Sequence, residues 1–309
     1  MDYYNLAIKR ESTRSFKKRP ISSRQLTELQ NYIPSCRRMI PELAADVTIL
    51  GADAPAELKG CAGYHGLMIE APNYLVISSA PHDHAVENAG YMGEDLVMKL
   101  TELELESCWI TIQDPEEMGR RLHLPDDRRP MALIAFGNAT VMLPSSRLDI
   151  KSVSNIFIKQ RTGFIAPKLA VDHAVYTKHW GESAEISSLP LNNSVYQAFI
   201  AACCAPSYLN LQPYRFILDK NTVLMVCLPD EMTTDDDIRL NVGIAMLHFA
   251  GAMENHHPSD TGWVMGAPEG SSYEIPEGAW IAGYYVIDID WTQTKRSCRK
   301  RRWRICRSG

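Results

Sequence analysis

The feature of this chain that most narrows what it can fold into is an internal repeat of ordered landmarks. Asn88-Ala89-Gly90 opens a long helical pattern that leads to Cys108-Trp109-Ile110, and Asn241-Val242-Gly243 opens a second that leads to Gly262-Trp263-Val264. Asparagine and tryptophan stand 21 residues apart in the first copy and 22 in the second. Upstream, Ile33-Pro34-Ser35 answers Ala205-Pro206-Ser207, each just after a helix-like segment. Downstream, the apolar run from Met131 to Phe136 answers the run from Trp280 to Ile287.

Each half reads as a helix, a Pro-Ser loop, a strand or strand pair, a long helix, a Trp-containing strand and a final apolar strand. The first half places strands near Val47–Leu50, Tyr74–Ser78, Trp109–Ile112 and Met131–Phe136. Its helix, from Val86 to Leu105, has apolar residues at close to helical spacing. The second half places strands at Tyr214–Leu218, Val223–Leu228, Gly262–Met265 and Trp280–Ile289, with a helix from Asp235 to Met253. These patterns predict an α+β fold, an α/β sandwich in which two tandem half-repeats pack as an intrachain pseudo-dimer. The expected divisions are 1–167 for the first repeat, 168–191 for a polar linker, 192–290 for the second repeat and 291–309 for a basic tail.

A chain of 309 residues buries a substantial core unaided, and 45% apolar with 22% charged residues excludes both wholesale disorder and a fibrous repeat. The apolar stretches are too short to span a bilayer, and the amino terminus has no apolar signal core. Eight cysteines without a C-x-x-C pair read as buried thiols, which points to the cytoplasm. Net charge is −5, yet up to residue 290 there are 24 basic against 37 acidic residues, a net of −13. The remaining eight basic residues fall between Lys295 and Arg307. An acidic body with a basic tail argues against a nucleic-acid-binding domain, whose positive charge belongs on a folded face.

Two segments carry candidate chemistry. In Arg10-Glu11-Ser12-Thr13-Arg14, two guanidinium groups flank a hydroxyl and are able to bind a phosphate or a polar ring edge. The same residues also fit a solvated helix end, since Lys17, Lys18 and Arg19 follow. The segment from Ala205 to Phe216, APSYLNLQPYRF, punctuates a strand entry with Pro, Asn and Gln. Its amides suit a heteroaromatic edge of alternating donors and acceptors, and they equally fit an ordinary helix-to-strand turn. His82-Asp83-His84 and His256-His257 lack the context of a metal site and read as solvated, so no metal is expected. Cys203-Cys204 reads as core, and Tyr64, His65 and Tyr91 as packing.

Taken together, RESTRSF, APSYLNLQPYRF and ENAGYMGEDLVMKLTELELESCWI resemble the nitroreductase family of FMN flavoproteins, most closely members that fuse two repeats in one chain. In that family an R-x-S-x-R/K motif binds the flavin's phosphate and pyrimidine side, and a P-S-x-x-N-x-Q-P-aromatic loop from the partner subunit covers the ring. The resemblance implies that Arg10 and Ser12 contact phosphate or ribityl and that Arg14 reaches the pyrimidine edge. It implies that Pro206, Ser207, Asn210 and Gln212 line the opposite side, and that backbone at Ile110 and Thr111 approaches the redox-active nitrogen. Arg147 stands near the place of a basic phosphate ligand. The family often has glycines where Ile110 and Thr111 stand here. The first-half loop, IPSCRRMIPE, lacks the Asn and Gln, and no R-x-S-x-R precedes Asn192, so parts for one flavin per chain remain.

The resemblance therefore implies a cytoplasmic FMN oxidoreductase that takes hydride from NAD(P)H and passes electrons to a nitroaromatic, quinone or similar acceptor. Its partners would be small molecules, with neither nucleic acid nor membrane, and it would exist as a monomer or a dimer of fused pseudo-dimers. The competing reading is a degenerate flavin-binding protein without turnover.

Overall fold

A computed structural model describes residues 1–63, 68–140, 145–152, 155–161, 167–183, 193–254, 262–270 and 273–287. Helix α1 (Tyr3–Lys9) starts where the Asp2 carboxylate accepts the Asn5 amide at 3.2 Å. Helix α2 (Ser23–Tyr32) starts at a capping box in which Ser22 and Gln25 each satisfy the other's backbone N–H. A 3-10 turn through Pro34 ends it. Strands β1 (Ala45–Leu50) and β2 (Asn73–Ser79) flank the one-turn helix α3 (Ala54–Glu57). Then follow α4 (Ala85–Glu102), β3 (Glu106–Ile110), α5 (Pro115–Arg121) and β4 (Arg129–Gly137). After a hairpin of β5 (Ser145–Ser152) and β6 (Asn155–Arg161) come α6 (Val171–Ala174) and β7 (Val175–Thr177). The second half holds α7 (Asn193–Cys204), β8 (Tyr214–Asp219), β9 (Thr222–Cys227), α8 (Asp235–Glu254), β10 (Trp263–Met265) and β11 (Trp280–Val286).

The first sheet runs β1-β2-β4-β3, with every pair antiparallel. The second runs β8-β9-β11-β10, again antiparallel throughout, with β7 added in parallel beyond β8. Taken in chain order, the two sheets have the same strand sequence. Strand β2 is buried on both faces: Leu75 and Ile77 pack with Ala89, Met92 and Leu96 of α4, while Tyr74 and Val76 pack with Leu58 and Met118. Strand β9 repeats the alternation, Val223 and Met225 meeting the α7 and α8 core, Leu224 and Val226 the opposite face.

Helices α4 and α8 are buried along most of their lengths and cross at the two glycines of the landmark triplets. Gly90 lies against the Leu240 carbonyl, three residues before Gly243, and Gly243 lies against the Glu87 carbonyl, three residues before Gly90. A Cβ at Gly243 would stand 2.8 Å from the Glu87 carbonyl carbon and 2.8 Å from the Tyr91 nitrogen, so the approach requires glycine. The two contacts are reciprocal. The other landmarks have parallel duties. Asn88 Oδ1 accepts the Ile40 amide at 3.0 Å and Asn241 Oδ1 the Tyr208 amide at 3.1 Å, each tying a Pro-Ser loop to the long helix of its own half. Both indoles also donate to that helix, Trp109 to Glu94 and Trp263 to the Met246 carbonyl, each at 2.9 Å.

The structure departs from the sequence expectations in several places. Helix α4 stops at Glu102 rather than Leu105, because Glu104 takes a positive φ of 60°. The segment read as a linker supplies α6 and the sheet strand β7. The hairpin β5–β6 and helix α5 have no counterpart in the sequence reading. The basic tail lies outside the described residues. Among the described residues no helix is long and apolar enough to cross a membrane.

Candidate functional site

At the end of α1, Arg10 turns to extended backbone, and the chain then runs beside β3. Ser12 bridges Ser107 in parallel, and the Thr13 amide donates to the Ser107 carbonyl at 2.9 Å. This track carries the Arg10 side chain inward, where it is only 6% exposed. Its Nη1 donates to Ser12 Oγ at 3.2 Å. Its Nε stands 3.7 Å from Glu94 Oε1, too far for a hydrogen bond, and is buried without a partner among the described residues. Arg14 stays exposed. Burial raises the Cys108 thiol above its ordinary range, and the charges of Arg14 and Arg10 offset part of that rise, which places both guanidinium groups near β3.

The loop after α7 is held in an unusual backbone path. Leu209, Asn210 and Gln212 have φ of 48°, 59° and 49°, a left-handed region that costs a non-glycine residue about 1 kcal/mol or more. Short internal bonds fix it: the Asn210 amide donates to the Ser207 carbonyl at 2.9 Å, and the Gln212 amide to Ser207 Oγ at 3.0 Å. Pro206 is buried before the turn. The side-chain amides point to a segment some forty residues earlier. Asn210 Nδ2 donates to the Pro167 carbonyl at 2.7 Å, and Gln212 Oε1 accepts the Leu169 amide at 2.9 Å. These two residues, expected to present free amides to a ring, are occupied with residues 167–169, and Gln212 is buried rather than partly exposed.

Lys168, at the centre of that segment, is the site residue that sequence reasoning missed. Its Nζ donates to the Ala205 carbonyl at 2.8 Å and to Asn210 Oδ1 at 3.1 Å. Burial and then the Arg10 charge bring its amine down to about 8. Lys168 and Arg10 both act on the Cys204 thiol, which burial raises. Arg10 from the first half, the Ala205–Gln212 loop from the second and Lys168 between them therefore meet at one place. The available signal was a single cation in the otherwise apolar stretch from Phe164 to Ala170.

Other expected residues lie apart. Ile110 closes β3 opposite Leu133, and the Thr111 carbonyl accepts the Gly63 amide at 2.9 Å, so this backbone is zipped to the 61–63 segment. At about 3.3 Å per residue, it stands some four residues along β3 from Ser107 and the Arg10 track. Arg147 falls in β5 opposite Lys159, in a hairpin separate from both sheets, and its side chain lies outside the described residues. Tyr64, His65, His256 and His257 also lie outside them. Tyr91 and Cys203 are buried, and Cys204 is half-buried. Among the described residues no three His, Cys, Asp or Glu side chains form a metal-sized group.

The equivalent loop of the first half is filled by the chain itself. Arg37 pairs with Glu254 and lies 5.1 Å over the Tyr3 ring. Its amide donates to Asp95 at 2.9 Å, and the same carboxylate accepts the Tyr3 and Tyr32 hydroxyls at 2.6 and 2.7 Å. Burial raises the Asp95 carboxyl above its ordinary range.

Residues 2–253 match the model of a family described as "Putative TM nitroreductase". The chain is similar to a "putative nitroreductase" from Thermotoga maritima, with 13% identity over 94% of this chain and 95% of that one and a TM-score of 0.56, which shows a shared fold. It also aligns with an FMN-dependent nitroreductase from Clostridium difficile, at 18% identity over 43% of this chain and 86% of that one, with a TM-score of 0.39. A search of curated proteins finds no match.

Proposed function

This chain belongs to the nitroreductase family, a family of oxidoreductases, and from that premise we propose that it binds one FMN between its two halves and uses it in electron transfer. The observation that carries the reading is the meeting of Arg10 and Lys168. They are two largely buried cations close enough for one to lower the other's pKa, and Arg10 Nε has no hydrogen-bond partner among the described residues. That donor set fits a phosphate, which would accept from the Arg10 guanidinium and from the one Lys168 proton not bonded to Ala205 or Asn210. FMN, when bound, supplies the hydride chemistry. Arg10, Ser12 and Lys168 hold its phosphate end, and Arg14, at the exposed rim, stabilises negative charge on the pyrimidine side. Arg147 belongs to this reading only as a secondary phosphate ligand.

One site per chain is supported by the first-half loop, where Arg37, Glu254 and Asp95 occupy one another. The division into repeats at 1–167 and 192–290 puts Lys168 at their junction. NAD(P)H is the proposed donor and a nitroaromatic, quinone or similar small molecule the acceptor. Six free cysteines among the described residues support a reducing, cytoplasmic setting. The second reading, flavin binding without turnover, is favoured by one observation: Asn210, Gln212 and the Thr111 carbonyl are already engaged within the protein.

The test is to purify the protein, release and count its flavin, and follow NADH and NADPH oxidation with a quinone present. One FMN per chain with steady-state oxidation supports the enzyme. FMN without oxidation selects the second reading, and a protein that neither contains nor takes up FMN refutes both.

A further inference from the structure

Glu94 lies on α4 behind Arg10, and its side chain has no exposed surface. Its Oε2 accepts the Trp109 indole N–H at 2.9 Å, and its Oε1 is 2.8 Å from His248 Nε2 and 3.7 Å from Arg10 Nε. His248 comes from α8, in the other half, and is 1% exposed. Its Nδ1 is 2.9 Å from the Ala201 carbonyl oxygen. A carbonyl oxygen only accepts, so Nδ1 carries a proton. At hydrogen-bond distance from a carboxyl oxygen, Nε2 requires a proton between the two atoms as well, because otherwise two lone pairs would oppose each other in a buried place. The indole and the imidazole both hydrogen-bond Glu94, one proton is shared between carboxyl and imidazole, and the Arg10 guanidinium faces them at 3.7 Å.

We propose that Glu94 and His248 are positioning residues for Arg10, a buried carboxyl–imidazole pair that shares one proton and spans both halves. The pair sums to zero charge. Glu94 therefore holds the guanidinium from behind without cancelling it, and the charge of Arg10 stays available to an anionic ligand. The other charged or titratable groups facing the pair are Lys168, which feels Glu94 directly, and Tyr214, whose phenol is raised by burial and further by the nearby thiols and Glu94. The proposal rests on the FMN reading for its ligand, but not for the protonation state of the pair.

The first measurement records the ring-nitrogen spectrum of ligand-free parent protein labelled with ¹⁵N-histidine. A proton on His248 Nδ1 and a second held between Nε2 and Glu94 are expected, and an Nε2 with no hydrogen bond overturns the proposal. The second measures FMN affinity of the variants by fluorescence titration. His248→Gln leaves Glu94 uncompensated beside Arg10 and is expected to weaken FMN binding on the order of tenfold. The double variant Glu94→Gln with His248→Gln removes both charges and is expected to recover most of that loss. A merely structural pair would make the double variant the weaker binder, and that result overturns the electrostatic role. If the parent binds no FMN, the flavin reading fails, and the imidazole spectrum still decides the state of the pair.

Discussion

Three glycine-to-alanine substitutions, identical in chemistry, should differ in effect according to what each new methyl group meets. Alanine gains about 1 kcal/mol of helix propensity over glycine at every helical position. At Gly119 in α5 the nearest atom to a new Cβ is Pro130 Cδ at 3.5 Å, an ordinary contact, so the gain survives. At Gly90 the Cβ meets the Leu240 carbonyl oxygen, with its carbon at 3.2 Å and the Ile244 nitrogen at 3.3 Å. Gly243 is tighter, since the Glu87 carbonyl carbon and the Tyr91 nitrogen would both stand at 2.8 Å, with the carbonyl oxygen closer still. Backbone cannot swing aside as a side chain does, so α4 and α8 must part, loosening packing along two buried helices. Overpacking of this kind costs about 1–3 kcal/mol and more where backbone must move. Net of propensity, Gly243→Ala should lose about 2–3 kcal/mol, Gly90→Ala about 1, and Gly119→Ala should be neutral or up to about 1 kcal/mol more stable. Urea midpoints at constant slope measure all three. If Gly243→Ala unfolds at the same urea concentration as Gly119→Ala, the crossing is not as close as described.

Three further outcomes are expected. Arg10→Ala should weaken FMN binding by roughly 1.5–3 kcal/mol, the range for a charged hydrogen bond, as read by titration of the apo-protein. Lys168, lowered to about 8 by burial and Arg10, is charged in the folded protein only below that pH, so FMN affinity should be highest below about pH 8 and fall above it. Lys168→Met should flatten the profile. The same depressed amine leaves the unfolded chain binding more protons between about 8 and its ordinary pKa of 10.5. Its contribution to stability therefore rises with pH across that window and is lost as pH falls through about 8. Gln212→Leu leaves the partly buried Leu169 amide without its acceptor and should cost about 1–3 kcal/mol, and an unchanged urea midpoint would mean that Gln212 does not tether residues 167–169.

The landmark triplets were legible because each has a local physical duty that only a few residue types perform. Glycine permits the helix crossing, asparagine holds the Pro-Ser loop, and tryptophan reaches back to the long helix. What stayed hidden depends on partners distant in sequence. Three residues of β7 become a strand only by pairing with β8, and nothing in Val175-Tyr176-Thr177 alone distinguishes them from a loop. Asn210 and Gln212 advertise several donors and acceptors, but that these would be spent on Pro167 and Leu169 is a tertiary fact. Lys168 belongs to the same class, since its neighbours supply the low pKa and the chain around it supplies no motif.

The duplicated strand order within one polypeptide changes how its site responds to dilution and to mutation. A site shared between separate subunits is subject to mass action, and it empties as the protein becomes scarce. In the proposed site the two contributing surfaces belong to one chain, and their local concentration is fixed by the chain itself. In a homodimer every substitution appears at both sites at once, whereas in one chain the loop at Cys36–Ile40 and the loop at Ser207–Gln212 change independently. One holds Arg37 with an acidic partner, while the other holds Asn210 and Gln212 and meets Lys168.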